Sequence, residues 1–152
     1  MSRLLGIDLG ERRIGIAIGD EADGAARALT TIRRRDPERD AAVIGRIVRE
    51  HAVDALVVGL PRNMDGSEGT QAVATRTWAA TISAALGLPV YWRDERLTTE
   101  HAEANLGRTP RGRSGGPPSR GALERRRAAV DREAARLILQ AELDDRQGAP
   151  RA

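Results

Sequence analysis

Three carboxylates are placed where they could do chemistry together: Asp8 in LLGIDLGERRIGIAIGD (Leu4–Asp20), Glu95 in WRDER (Trp92–Arg96) and Asp131 in AAVDREAAR (Ala128–Arg136). The chain has no cysteine, so a thiolate–zinc site is excluded, and with neither of its two histidines beside these acids a metal among them would meet oxygen ligands. Oxygen-only donor sets suit Mg²⁺ or Mn²⁺. Carboxylates brought close together repel one another, and a cation is their natural neutraliser. Each acid also has a plainer reading. Asp8 can end a strand and open a turn, and Asp131, early in a helix, can be a partner of the helix dipole. Asp94, next to Glu95, points to the other side of an extended segment and reads as structural. His51 near a helix end is assigned no chemistry, and His101 reads as an exposed helical histidine in preference to a proton-transfer group.

The second chemical feature is charge. All 25 basic side chains are arginine, against 22 acids, for a formal net charge of +3. Residues 1–104 hold 14 Arg and 16 acids, a net of −2, and residues 128–152 hold 4 Arg and 5 acids, a net of −1. Residues 105–127 hold 7 Arg against Glu124 alone, a net of +6. So concentrated a segment points to a polyanionic partner. Within it, GRTPRGRSGGPPSRG (107–121) has no apolar periodicity, and its length marks either a working loop or a solvated insertion. Arg108, Arg111, Arg113 and Arg120, with Arg125, Arg126 and Arg127 behind them, would form a mobile basic lid over a site that must attract phosphate. Trp78, Tyr91 and Trp92 are the only aromatic residues. Readers of single strands rely on aromatic stacking. Their scarcity favours recognition of backbone and shape, as in a duplex or a junction.

The elements that position these residues follow from the apolar pattern. Leu5, Ile7 and Leu9, then Ile14, Ile16 and Ile18, alternate on either side of a turn at Gly10 and predict a β-hairpin. Its other face holds Gly6, Asp8, Gly15, Ala17 and Gly19, bare enough for a metal ion or phosphate to approach. A third strand is expected over 25–32. Asp36-Pro37 should open a helix running to about His51. Ala55–Val58 reads as a strand buried on both faces. A helix over 67–86, capped by Asp65 with Glu68, should pack through Val73, Thr77, Ala80 and Ala84, with Trp78 and Ile82 alongside. A strand over 88–92, a short helix from Thr98 or Thr99 to Leu106 and a helix from about Glu124 to Leu143 complete the order. This predicts an α/β domain over 1–145, a mixed five-stranded sheet with helices on both faces, and a disordered tail over 146–152. The first, fourth and fifth strands should be parallel. Ligands of such sheets bind at the carboxyl ends of parallel strands, where Asp8, Gly59 and Asp94-Glu95 converge. No apolar run approaches the ~18 residues of a membrane span, and the start lacks a signal peptide's apolar core. A cytoplasmic protein without membrane partners is expected.

Four motifs, in this order and spacing, resemble the bacterial YqgF (RuvX-like) family of pre-16S ribosomal RNA nucleases, relatives of Holliday-junction resolvases. They are GIDLGERRIGIA (Gly6–Ala17), VVGLPRNMDGSEG (Val57–Gly69), DERLTT (Asp94–Thr99) and VDREAARLILQ (Val130–Gln140). The resemblance runs from Leu4 to about Leu143. It implies an RNase H-like fold and a hydrolase acting on ester bonds, with Asp8, Glu95 and Asp131 as catalytic residues holding Mg²⁺ or Mn²⁺, two ions in all. It also implies that Arg13 and Arg96 hold phosphates beside the reacting one, although surface ion pairs would explain both equally well. The substrate class is a structured rRNA precursor, cleaved at the 5′ end of pre-16S rRNA during ribosome biogenesis, or branched DNA such as a four-way junction. A non-catalytic assembly factor bound to ribosomal particles is a third reading. GIDLG after a hairpin also looks like the phosphate loop of actin-like ATPases and sugar kinases, but that fold needs a second copy and has no role for Asp131. The chain could act as a monomer or a homodimer.

Overall fold

A computed structural model describes residues 2–96, 98–107, 111–112 and 115–148. The predicted hairpin forms from β1 (Arg3–Leu9) and β2 (Arg13–Asp20), antiparallel, with Asp8 opposite Gly15. Its turn is closed where Gly10 N donates to Arg13 O at 2.9 Å. The third strand, β3 (Ala26–Arg33), pairs antiparallel with β2. Thr30 faces Ile16 while Ala28 faces Ala17, so Leu29 is the extra residue of a bulge. The fourth strand, β4 (Ala55–Leu60), lies parallel to β1 and is buried at every position. The fifth, β5 (Val90–Asp94), lies parallel to β4. Sheet order is β3-β2-β1-β4-β5, which agrees with the expected parallel core and antiparallel flank.

Period-two alternation divides the sheet into two faces. Leu5, Ile7, Leu9, Ile14, Ile16, Leu56 and Val58 pack under α1 (Pro37–His51) and α2 (Thr70–Leu86). Leu4, Ala17, Ala55 and Val57 pack under the long α4 (Arg120–Gly148) through Ala135, Ile138, Leu139 and Leu143. The short α3 (Thr98–Leu106) leans on α4, with Ala102 against Val130 and Ala134. Among the described residues, no helix is long and apolar enough to cross a membrane.

The bare hairpin face has a different purpose from the one expected. A Cβ at Gly6 would lie 2.7 Å from Leu139 Cβ and 2.8 Å from Ala135 O, and one at Gly15 would overlap Asp131 O. These glycines are where α4 settles onto the strands. They do not form an open cradle for a ligand.

Helix α1 is built as predicted: Asp36 accepts from Arg39 N at 2.8 Å and Pro37 is its first residue. Helix α2 differs. It begins at Thr70 with Gly69 as a cap that makes no side-chain bond. Asp65 instead accepts from Ser67 N and Oγ, and Glu68 pairs with Arg76 Nε at 2.7 Å. The inward face is Ala72, Thr75, Trp78, Ala79 and Ile82, leaving Val73 58% exposed. The deciding group is Trp78, whose Nε1 donates to buried Asp40 at 3.0 Å, while Asp40 also accepts from Arg35 N at 2.8 Å. Helix α4 starts earlier than expected, with Ser119 Oγ accepting from Ala122 N at 3.1 Å. It also runs on through residues 146–148 of the expected tail. Arg146 pairs there with Glu21 and Glu142 and lies over the Tyr91 ring at 4.6 Å.

Candidate active site

Asp8 sits near the carboxyl end of β1, on the face that α4 covers, since Leu4 and Gly6 precede it at even spacing on that side. Glu95 follows β5, two strands away, because β4 runs between β1 and β5. Its side chain can reach Asp8 only by crossing β4. It does so over Gly59, where an added Cβ would stand 2.7 Å from Glu95 Oε2 and 2.5 Å from Ile138 Cδ1. That glycine is therefore a working part of the site. The signal for it was its place at the end of a fully apolar strand, one position before the turn-prone Leu60-Pro61.

The two carboxyl groups are hydrogen-bonded to each other. Burial pushes Asp8 up to about 6; the bond from Glu95 opposes this, and the charge of Asp131 adds to it. Glu95 is pushed up to about 9, by burial first, then by the charge of Asp8 and by their shared bond. At neutral pH the pair therefore retains one proton between Asp8 and Glu95.

Asp131 lies over β2, its backbone carbonyl against Gly15 and so beside Asp8's partner in the hairpin register. Its carboxylate is engaged elsewhere. Arg13 Nε donates to Asp131 Oδ2 at 2.8 Å, and Arg13 Nη1 stands 3.6 Å from Glu124 Oε2. The expected three-carboxylate cluster is thus a bonded pair with a third acid held by a guanidinium. Among the described residues, no group of three or more His, Cys, Asp or Glu side chains stands ready to cage a metal.

The donor chemistry nonetheless fits a divalent cation. Asp8 and Glu95 are two recessed carboxyls whose shared proton occupies the place of a positive charge. They offer only oxygen, and Asp131 is near enough for its charge to be felt at Asp8.

The expected phosphate-binding arginines divide into distinct groups. Arg13 is bound as above. Arg96 is held by Asp94 at 2.7 Å and donates to Met64 O at 3.1 Å. Arg126 donates through one guanidinium nitrogen to Glu103 O and Gly107 O, and so caps the carboxyl end of α3. Arg127 stands 3.4 Å from Glu124. Arg111 donates to Gly115 O at 3.2 Å, while Arg120 and Arg125 project from the first turns of α4 as exposed residues. Arg108 and Arg113 lie outside the described residues. Sequence reasoning missed Arg12, Arg33 and Arg34, which line a cavity of about 610 Å³ with Arg13. The signal was available, because the hairpin and its next strand bring Arg13 opposite Arg33.

A family model described as RuvX, Holliday junction resolvase, matches residues 2–145. The chain belongs to the RuvX family. Among its relatives is a protein of Moorella thermoacetica named "Putative pre-16S rRNA nuclease", 44% identical over 147 residues, covering 93% of this chain and 94% of the relative. A protein of the same name from Anaeromyxobacter dehalogenans is 46% identical over 144 residues, covering 95% and 98%. Among solved structures, Thermus thermophilus RuvC in complex with a Holliday junction substrate superposes with a TM-score of 0.53 at 17% identity, covering 97% of each chain. At that identity the likeness concerns the fold, which in this RuvX-family chain is the RNase H-like fold the motifs implied.

Proposed function

We propose that this chain is a divalent-metal-dependent nuclease that hydrolyses phosphodiester bonds in structured precursor RNA, at the 5′ end of pre-16S rRNA, in assembling ribosomal particles. Relatives of nearly equal length carry the nuclease name. The observation that carries the chemistry is the Asp8–Glu95 pair, drawn together across Gly59 at the carboxyl edge of the sheet.

In this reading Asp8, Glu95 and Asp131 hold Mg²⁺ or Mn²⁺, two ions in all. When bound, the metal supplies an activated water and stabilises charge on the leaving oxygen. Asp8 and Glu95 would hold the cation as carboxylates, the proton they share at neutral pH having gone to solvent. Ile138 packs over Gly59 beside Glu95, and the half-buried position of the pair strengthens the charge interactions there. Arginines on the same edge draw phosphates in. Arg12, Arg33 and Arg34 flank the site on the β3 side, Arg96 flanks it near β5, and Arg111, Arg120, Arg125 and Arg127 surround the start of α4.

The test is cleavage of a 5′-extended 16S precursor by wild type and by Asp8→Asn, with Mg²⁺ and with chelator, alongside a four-way DNA junction. Wild-type cleavage of the precursor with Mg²⁺ alone, and none by Asp8→Asn, is expected. Turnover by Asp8→Asn would overturn the mechanism, and cleavage of the junction alone would transfer the substrate to branched DNA. Binding without cleavage of either would make the chain an assembly factor.

A further inference from the structure

The third acid of the site is held by an arginine that also lines a solvent-facing pocket. Asp131 cannot withdraw by moving its backbone, because α4 is seated on Gly15 at that residue, so close that an added Cβ would overlap the Asp131 carbonyl. Its freedom is confined to the side chain, and Arg13 holds that side chain by a 2.8 Å charge-assisted bond. Both partners are about a quarter exposed or less, at 24% and 21%, so the contact is reachable from solvent.

Beside them opens a pocket of about 510 Å³ lined by Gly10, Glu11, Arg12, Arg13, Arg127 and Asp131. Three guanidiniums face two carboxylates there, and one of those carboxylates is Asp131 itself. The surplus is positive and the donors are planar forks. The anion they match is a phosphodiester, which binds guanidinium bidentately. A phosphate in this pocket and the carboxylate of Asp131 would compete for Arg13. Glu124, at 3.6 Å, gives the guanidinium a second neighbour on the outer side when it turns.

The resemblance already implies that Arg13 meets a phosphate beside the reacting bond; we propose in addition that Arg13 is an exchangeable tether, holding Asp131 off the metal centre until that phosphate, seated in this pocket, takes its place. The proposal rests on the metal-centre reading above and adds order to it. Substrate phosphate and metal then bind cooperatively. By linkage, the phosphate raises metal affinity by the same factor as the metal raises phosphate affinity. Arg13 is here a positioning residue, acting on the metal through Asp131.

The experiment is a Mn²⁺ titration of the full chain without nucleic acid, read from the free-ion EPR signal. It uses wild type, Arg13→Gln, Arg12→Gln, and Arg13→Gln combined with Asp131→Asn. Arg12→Gln removes the same charge from the same pocket without touching Asp131. Releasing the tether should tighten Mn²⁺ binding by Arg13→Gln roughly 5- to 20-fold, within the usual range of coupling between sites. Arg12→Gln should gain less than about threefold, the effect of one exposed charge. The extra gain should vanish in the variant that also carries Asp131→Asn. A duplex RNA titration in chelator is the reciprocal measurement: Asp131→Asn frees Arg13 and should tighten binding several-fold, but not in combination with Arg13→Gln. Equal gains for Arg13→Gln and Arg12→Gln would overturn the tether while leaving the metal centre in place. Absence of Mn²⁺ binding by every protein would overturn the metal centre, and the tether with it. If Arg13→Gln unfolds, Arg13→Lys keeps the charge, loses the Nε donor, and should change Mn²⁺ affinity in the same direction.

Discussion

Replacing Glu95 with Gln should make the metal-free protein more stable at alkaline pH while removing its activity. A carboxyl whose folded-state pKa exceeds its unfolded value supports folding while it is protonated, and withdraws that support as pH rises through the folded value. Asp8 is raised to about 6 and Glu95 to about 9, from unfolded values near 4. Between roughly pH 6.5 and 8.5 the folded pair therefore keeps one proton that the unfolded chain has shed. One proton corresponds to about 1.4 kcal/mol per pH unit, so wild type should lose up to about 3 kcal/mol across that interval. For a domain of this size each kcal/mol shifts Tm by about 2–4 °C, giving a fall of up to about 6–12 °C. The amide introduced by Glu95→Gln cannot ionise, and the profile of that variant over the same interval should be nearly flat. Saturating Mg²⁺ should flatten the wild-type profile too, since a cation replaces the proton. The assay is thermal unfolding in chelator at half-unit pH steps. Parallel profiles for wild type and Glu95→Gln would show that the pair shares no proton and that Glu95 is ionised in the folded protein at neutral pH.

Further perturbations separate packing from chemistry. Gly59→Ala places a methyl 2.7 Å from Glu95 Oε2; displacement of that carboxylate by an ångström should cost on the order of 100-fold in cleavage rate, measured at saturating metal. Gly15→Ala forces α4 off the sheet at Asp131 and should cost roughly 3 kcal/mol or more in urea unfolding, the upper end for overpacking. Arg111→Ser with Arg120→Ser should flatten the plot of log duplex affinity against log salt by roughly one to two units and leave cleavage of saturating substrate nearly unchanged. An unaltered slope would mean that this segment does not meet the backbone.

The topology was legible because each strand carried its own signature. The hairpin showed strict alternation, and β4 an unbroken apolar run, as a strand buried on both faces must. Asp8 and Glu95 were legible for the same reason, since strand order alone brings their ends together. What escaped was set by partners distant in sequence. The Ala- and Thr-rich TQAVATRTWAATISAAL offers several comparable helical faces, and the one chosen depends on Asp40, 38 residues before Trp78. The glycines of the hairpin announced a close approach without saying what approaches. The answer, α4, lies more than a hundred residues on.

Helix α4 explains why packing and chemistry in this fold cannot be changed separately. The contacts that seat it, Leu139 on Gly6 and the Asp131 carbonyl on Gly15, occupy the sheet face that carries Asp8. Moving the helix outward to relieve either contact would carry Asp131 away from Asp8 and lift Ile138 from Gly59. Close seating sets the acids near one another in a recessed site, and the resulting repulsion is held in check by a proton on one pair and by Arg13 on the third. Both restraints are ones a substrate can remove, because a cation displaces a proton and a phosphate attracts a guanidinium. In the proposed function, the same close packing makes the resting site self-neutralising and leaves it responsive to the two charges that a metal ion and a phosphate would bring.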